Sequence, residues 1–261
     1  MSASQAIASH VAPALLVVFR LGGLMILGPV FGSSVIPAKI RVLLAFLIGA
    51  AVYPVLAGRV MPAAAGLTLW TLAPLMATEL LIGLLIGYLA TIPMIATQMG
   101  GLLMSQQMGL GFARFYNPGM DAQSDIVGQI LFFMALAGFL AIGGHDAMVL
   151  AMLRTFDYIP PGGLAIDRDV LDLVTGLLMA SFELALRVAA PVLILVFLES
   201  LAMGYMAKTV PQLNILSLGF PIRILAGVGM LFLALYVINE VMMDGIDLML
   251  DSMFAWVRGG G

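Results

Sequence analysis

Ionisable side chains set inside apolar runs are the first place to look for chemistry, because each is costly to bury and must face a partner or an aqueous path. This chain has few of them: Arg20, Glu79, Glu183, Arg187, Glu199 and the adjacent His145 and Asp146. Glu183 and Arg187 stand four apart, so on a helix they share a face and neutralise each other, and the balance favours a structural salt pair. Arg20 and Glu79 have no local partner and are expected to pair across helices or with another chain. Glu79 alone is thin support for a proton relay, which needs a chain of titrating groups. His145 beside Asp146 has the composition of a general base or a metal ligand. The other histidine is His10, so no ligand set of credible spacing forms, and a capping or hydrogen-bonding role is expected. No G-x-S-x-G, H-E-x-x-H or Walker P-loop occurs, and the absence of cysteine removes thiolate catalysis and Fe–S ligation. The expectation is a protein that is not an enzyme and carries no metal or cofactor.

The elements that must position these groups are apolar helices. The 261 residues are 62% hydrophobic and 10% charged, with a mean hydropathy of +1.14, whereas soluble domains carry about 25% charged residues. The chain reads as an all-α membrane protein. Net charge is −3, from 11 basic and 14 acidic residues spread thinly, which argues against nucleic acid. No polar linker or low-complexity tract divides it, so residues 1–261 read as one membrane domain. The first twenty residues lack a positive leader ahead of their apolar run, which predicts a first mature helix. The twenty methionines are expected mostly to fill gaps in helix packing.

A span needs about 20 apolar residues, and by that measure about six hydrophobic segments are predicted: 12–31, 42–56, 69–96, 126–142, 173–206 and 215–238. The second is short for a full span. The third is expected to bend or break at Pro74 or Pro93. Residues 146–172, with Pro160, Pro161, Gly162 and Gly163, read as the clearest solvent-exposed connection. In the tail, Glu240, Asp244, Asp247 and Asp251 recur every three to four residues between apolar positions. That pattern suits an amphipathic interfacial helix or the solvated end of the last helix, equally.

Two stretches break the apolar pattern. Residues 98–119 hold Gly100, Gly101, Gly109, Gly111, Gln98, Gln106, Gln107 and the rings of Phe112, Phe115 and Tyr116, closing in Asn117, Pro118 and Gly119. Backbone that leaves helical geometry at membrane depth must be buried in protein or line a cavity. The reading is a flexible, aromatic-tipped loop that closes a pore, set against an ordinary connecting turn. Residues 208–227 repeat the theme with Pro211, Gln212, Asn214, Gly219 and Pro221. Such paired interruptions fit a transporter with discontinuous helices or closely packed hairpins in a pore assembly.

Specific motifs run through the chain: GPVFGSSVIPAKIRVLLA at 28–45, Glu79-Leu80-Leu81-Ile82-Gly83, QMGLGFARFYNP at 107–118, Gly144-His145, and LRTFDYIP at 153–160. The most discriminating is MGYMAKTVPQLNILSLGFPIRILAG at 203–227, with its PQ-x-N-x5-GFP pattern. These residues resemble the FliR family and its injectisome counterpart, the single-copy subunit of the type III secretion export gate. The resemblance implies helical hairpins assembled with several FliP-like and FliQ-like small subunits into a protein-conducting channel entrance. It implies FlhB-like and FlhA-like export proteins nearby, and unfolded flagellar proteins as cargo. It also implies a place in the bacterial inner membrane at the flagellar basal body.

By the same resemblance Gly109, Leu110, Gly111, Phe112, Ala113, Arg114, Phe115, Tyr116, Asn117 and Pro118 form a channel plug. Glu79, Gln106, Gln107, Met108, Pro211, Gln212, Asn214, Gly219, Phe220 and Pro221 are assembly or pore-lining candidates. Arg114 departs from the small or uncharged residue expected there, which leaves open whether the loop seals by apolar packing alone. The flagellar role is preferred to the injectisome one. The rival readings are a secondary transporter of small solutes and a structural nucleation protein.

Overall fold

The computed structural model describes residues 3–33, 35–64, 69–110, 125–163, 168–209 and 215–259, and among these there is no β-strand. The described helices are α1 (Ala3–Leu27), α2 (Ala38–Ala64), α3 (Leu69–Gln107), α4 (Ile126–Ala141), α5 (Gly144–Tyr158), α6 (Arg168–Thr209) and α7 (Ile215–Gly259). Among the described residues five helices are long and apolar enough to cross a membrane, and α4 with α5, taken as one broken span, makes a sixth.

Several expected breaks are helical instead. α2 has 27 residues and is not short, because Pro37 initiates it early: the Pro37 carbonyl accepts from the Ile40 and Arg41 amides. α3 passes unbroken through Pro74 and Pro93 and carries on to Gln107, so Gln98, Gly100 and Gly101 are helical. Those glycines serve close packing: a methyl group at Gly100 would meet the Ala185 carbonyl and Val188, and one at Gly101 would meet Gly128. The expected exposed connection is helical over 146–158, in α5, whose Met148, Ala151, Met152, Thr155 and Phe156 are buried, and again from Arg168, in α6. α7 continues through Gly219 and Pro221, which therefore do not interrupt it. Its tail is the end of the same helix: Met242, Ile246, Met249 and Met253 are buried at spacings of three and four, while Glu240, Asp244, Asp247 and Asp251 are exposed.

Contacts group the chain into two compact units, one of residues 1–92, 139–177 and 247–261, the other of 93–138 and 178–246. In the first, Leu16, Leu21 and Leu24 of α1, Ile82, Ile86 and Leu89 of α3, and Met148 and Met152 of α5 are buried as its core. In the second the core comes from Met94, Met104, Leu131, Val188, Val192 and Ile238. α4 begins at an Asp125 cap, whose Oδ2 accepts from the Gly128 amide at 3.1 Å.

Candidate functional site

In the first unit the face of α3 that meets α1 is written at a spacing of four: Glu79, Gly83, Gly87 and Thr91. Gly83 and Gly87 form a small-x-x-x-small pair that brings the backbones together. A methyl group on Gly83 would strike the Arg20 carbonyl and Gly23, and one on Gly87 would strike Gly28 and the Leu24 carbonyl. Thr91 closes the seam by donating to the Leu27 carbonyl at 2.7 Å.

At the other end of that seam Arg20 and Glu79 form a salt bridge of 2.5 Å with neither side chain exposed. Each charge is further satisfied. Arg20 donates from Nη1 to Thr155 Oγ1 at 2.9 Å and from Nη2 to the Ile159 carbonyl at 3.2 Å, and its guanidinium lies 3.9 Å from the centre of the Phe156 ring. The second Glu79 oxygen accepts from the Gly162 amide at 2.9 Å. Gly162 has φ +77° in a Pro160–Gly163 turn closed by a bond of 2.8 Å. Proline second and a left-handed glycine third is the chemistry of a type II turn.

Buried ion pairs hold only where hydrogen bonds replace water on both partners, and here the replacements come from α5 and the turn behind it. Of the two expected alternatives, a partner across helices or one in another chain, the structure shows the first, and the two residues are each other's partner. Thr155, Phe156 and Ile159 belong to the 153–160 motif and Gly162 to the Pro/Gly run, but nothing in the sequence assigns them to Arg20 or Glu79. Two opposite unpaired charges in separate apolar helices, together with the four-residue spacing after Glu79, were the available signal. The arrangement is a closed clamp suited to fixing helices.

In the second unit, α3 ends where the plug stretch begins. Gly109 has φ +83°, and its amide donates to the Gln106 carbonyl at 3.1 Å, the inner bond of a Schellman-type stop. Met108 is fully buried and packs where a side chain at Gly227 would otherwise stand. Gln106, Gln107 and Leu110 are exposed. Gly111, Phe112, Ala113, Arg114, Phe115, Tyr116, Asn117 and Pro118 lie outside the described residues, as do Pro211, Gln212 and Asn214. Gly219, Phe220 and Pro221 stand in α7, with Gly219 against Met203.

Arg223, one helical turn past Gly219, joins α7 to α6: its Nε donates to Glu199 Oε2 at 2.9 Å and its Nη2 to Ser200 Oγ at 2.8 Å. Glu183 and Arg187 form the expected pair along α6, at 2.5 Å and largely exposed. His145 does not cap its helix. Gly143 holds that position in a left-handed conformation without a side-chain bond, and His145 Nε2 lies 3.5 Å from Asp146 Oδ1.

Comparison with known proteins finds relatives among bacterial export components. The flagellar biosynthetic protein FliR of Bacillus subtilis is 30% identical over 249 residues, covering 92% of this chain and 93% of its own. That of Caulobacter vibrioides is 29% identical, covering 94% and 97%. Yop proteins translocation protein T of Yersinia pestis is 28% identical over 64% of each chain. The family model for bacterial export proteins, family 1, matches residues 11–249. The chain therefore belongs to the bacterial export proteins of family 1.

Proposed function

We propose that this protein is the FliR subunit of a flagellar type III protein export gate in the bacterial inner membrane, at the flagellar basal body. Near-complete coverage of flagellar relatives, against 64% for the Yersinia translocation protein, is the observation that carries the flagellar choice. The subunit acts as a structural part of the protein-conducting entrance and performs no catalysis. One chain-long domain is the economical description, since α3, α4, α6 and α7 each contribute residues to both compact units. Its partners are FliP-like and FliQ-like small membrane subunits, FlhB-like and FlhA-like export proteins, and the unfolded flagellar proteins that pass through.

Residues 109–118 are the plug. α3 offers a rigid stem whose last turn is anchored by buried Met108, and Gly109 turns the chain sharply out of the helix. Aromatic rings beyond it supply volume to seal against ions, and glycines let the loop be displaced without breaking helical hydrogen bonds. Gln106, Gln107 and Met108 at the mouth, with Pro211, Gln212, Asn214, Gly219, Phe220 and Pro221, form the pore-lining and assembly set, while Glu79 contributes through the clamp.

Native mass spectrometry of the protein gently extracted from its host membrane tests the gate. One copy with several small hydrophobic partners is expected, and a partner-free monomer or homodimer would overturn it. Deleting residues 109–118 tests the plug separately, with assembly intact and the membrane leaky to ions as the expected result. An assembled, tight gate after that deletion would end the plug assignment.

A further inference from the structure

α2 differs from the other long helices in how its charges fall. Arg41 and Arg59 stand eighteen residues apart with no charged residue between them, a rise of about 27 Å, close to the roughly 30 Å of a bilayer's hydrocarbon core. Between them the outward side chains are apolar: Val42, Phe46 and Val55 are 68%, 55% and 76% exposed. The one polar tip, the Tyr53 hydroxyl, lies 2.7 Å from His10 Nδ1. By contrast α6, with 42 residues, is about 63 Å long and carries the exposed Glu183–Arg187 pair on its outer surface. Arginines closing an apolar stretch of bilayer length are the pattern of a lipid-facing span, with the guanidinium groups at headgroup level.

At the Arg41 end, α1 and α2 leave an open cleft of about 200 Å³ lined by Val18, Phe19, Gly22, Met25, Ile26 and Ala45, with Arg41 as its charged lining residue. The Arg41 Nε donates to the Ile36 carbonyl at 3.1 Å, which fixes the guanidinium beside the cleft. No aspartate or glutamate precedes Glu79 in the sequence. Arg20 is neutralised by Glu79 and Arg59 by Asp157, whereas among the described residues no carboxylate pairs with Lys39 or Arg41. An apolar slot with the uncompensated cation Arg41 in its lining matches one ligand class, an acyl chain joined to an anionic headgroup.

We infer that this cleft binds an anionic phospholipid, one acyl chain lying along Gly22 and Ala45 and the phosphate pairing with Arg41. The inference holds for the protein in a membrane whether or not it serves an export gate.

The test uses the protein as extracted with whatever partners accompany it, reconstituted into phosphatidylethanolamine vesicles. These carry a trace of phosphatidylglycerol or phosphatidylcholine with a photoactivatable acyl chain, and labelled peptides are mapped. Labelling of residues 18–26 and 42–46 by phosphatidylglycerol is expected to exceed that by phosphatidylcholine about fivefold, the preference one basic residue gives at an anionic surface. Arg41→Gln should bring the ratio to about one. Gly22→Leu should reduce labelling by both lipids, since a side chain there grows into open space with no neighbour within 4 Å, and protein yield should be unchanged. Equal labelling by the two lipids, or a ratio unmoved by Arg41→Gln, would overturn the site. So would a photocrosslinker at Val42 that captures a partner protein in place of lipid. Partner recovery is scored independently, so failure of the gate reading and failure of this site give different results.

Discussion

Arg20 on α1 and Glu79 on α3, fifty-nine residues apart in sequence, meet in a fully buried salt bridge, and the same two side chains bind the Ile159 carbonyl and the Gly162 amide at the end of α5. One neutral pair thereby holds α1, α3 and a turn together. Removing either partner leaves an uncompensated buried charge, so Arg20→Ala or Glu79→Ala should each cost about 3–5 kcal/mol. Arg20→Met combined with Glu79→Met should cost less than either single change, because both charges leave together. Recovery stays incomplete, since the Ile159 and Gly162 backbone groups lose their partners. Thermal melting in detergent measures this, and a double variant as unstable as the sum of the singles would refute the clamp.

Adjacent glycines on α1 should behave oppositely. A methyl group on Gly23 would press on α3 backbone at Leu80 and Leu84, whereas one on Gly22 meets nothing within 4 Å. Gly23→Ala is expected to destabilise by about 1–3 kcal/mol through overpacking. Gly22→Ala should be neutral or stabilising by up to about 1 kcal/mol, as alanine is the better helix former. Comparing their melting temperatures decides whether the seam is as tight as described.

Gly109 stops α3 in the left-handed region, where a side chain costs about 1–2 kcal/mol. Gly109→Ala should therefore misdirect the stretch that follows, and Gly109→Asn should do less harm, since asparagine tolerates that conformation. Ion conductance of vesicles holding the assembled protein is the readout. The expected order of leak is alanine above asparagine above the native glycine, and equal leak for all three would count against a hinge at this position.

The two ion pairs on α6 should differ in strength. Glu199 is 10% exposed and Arg223 31%, against 61% and 64% for Glu183 and Arg187. Double-alanine cycles should give a coupling of about 1 kcal/mol for Glu199–Arg223, helped by the Ser200 bond, and about 0.3 kcal/mol for the solvated pair. A larger coupling for the exposed pair would mean that its surroundings are less watery than its exposure implies.

Much of the fold was legible because hydropathy and helix length are local properties. About six apolar segments were expected, and five long helices with one broken pair were found among the described residues. Proline and glycine misled at Pro74, Pro93, Gly100, Gly101, Gly219 and Pro221. Each reads in the sequence as a bend, an interruption or a loosened backbone, yet each sits inside a helix. A proline's lost hydrogen bond is tolerable where neighbouring elements support the helix, and a glycine read as looseness is equally a place where two backbones touch. The polar look of 146–172 hid α5 for a related reason: its buried stripe of Met148, Ala151, Met152 and Thr155 is amphipathic, not uniformly apolar.

By itself the sequence determined that this is an all-helical membrane protein of the export family, because composition, apolar run length and the motifs at 107–118 and 203–227 are written along the chain. It also marked Arg20 and Glu79 as charges that needed partners. Only the tertiary structure decided that they need each other, along with Thr155, Phe156 and a turn at Gly162. Pairing between residues that far apart depends on which helix faces touch, and that is set by the close approach of Gly23 to Gly83 and of Gly28 to Gly87.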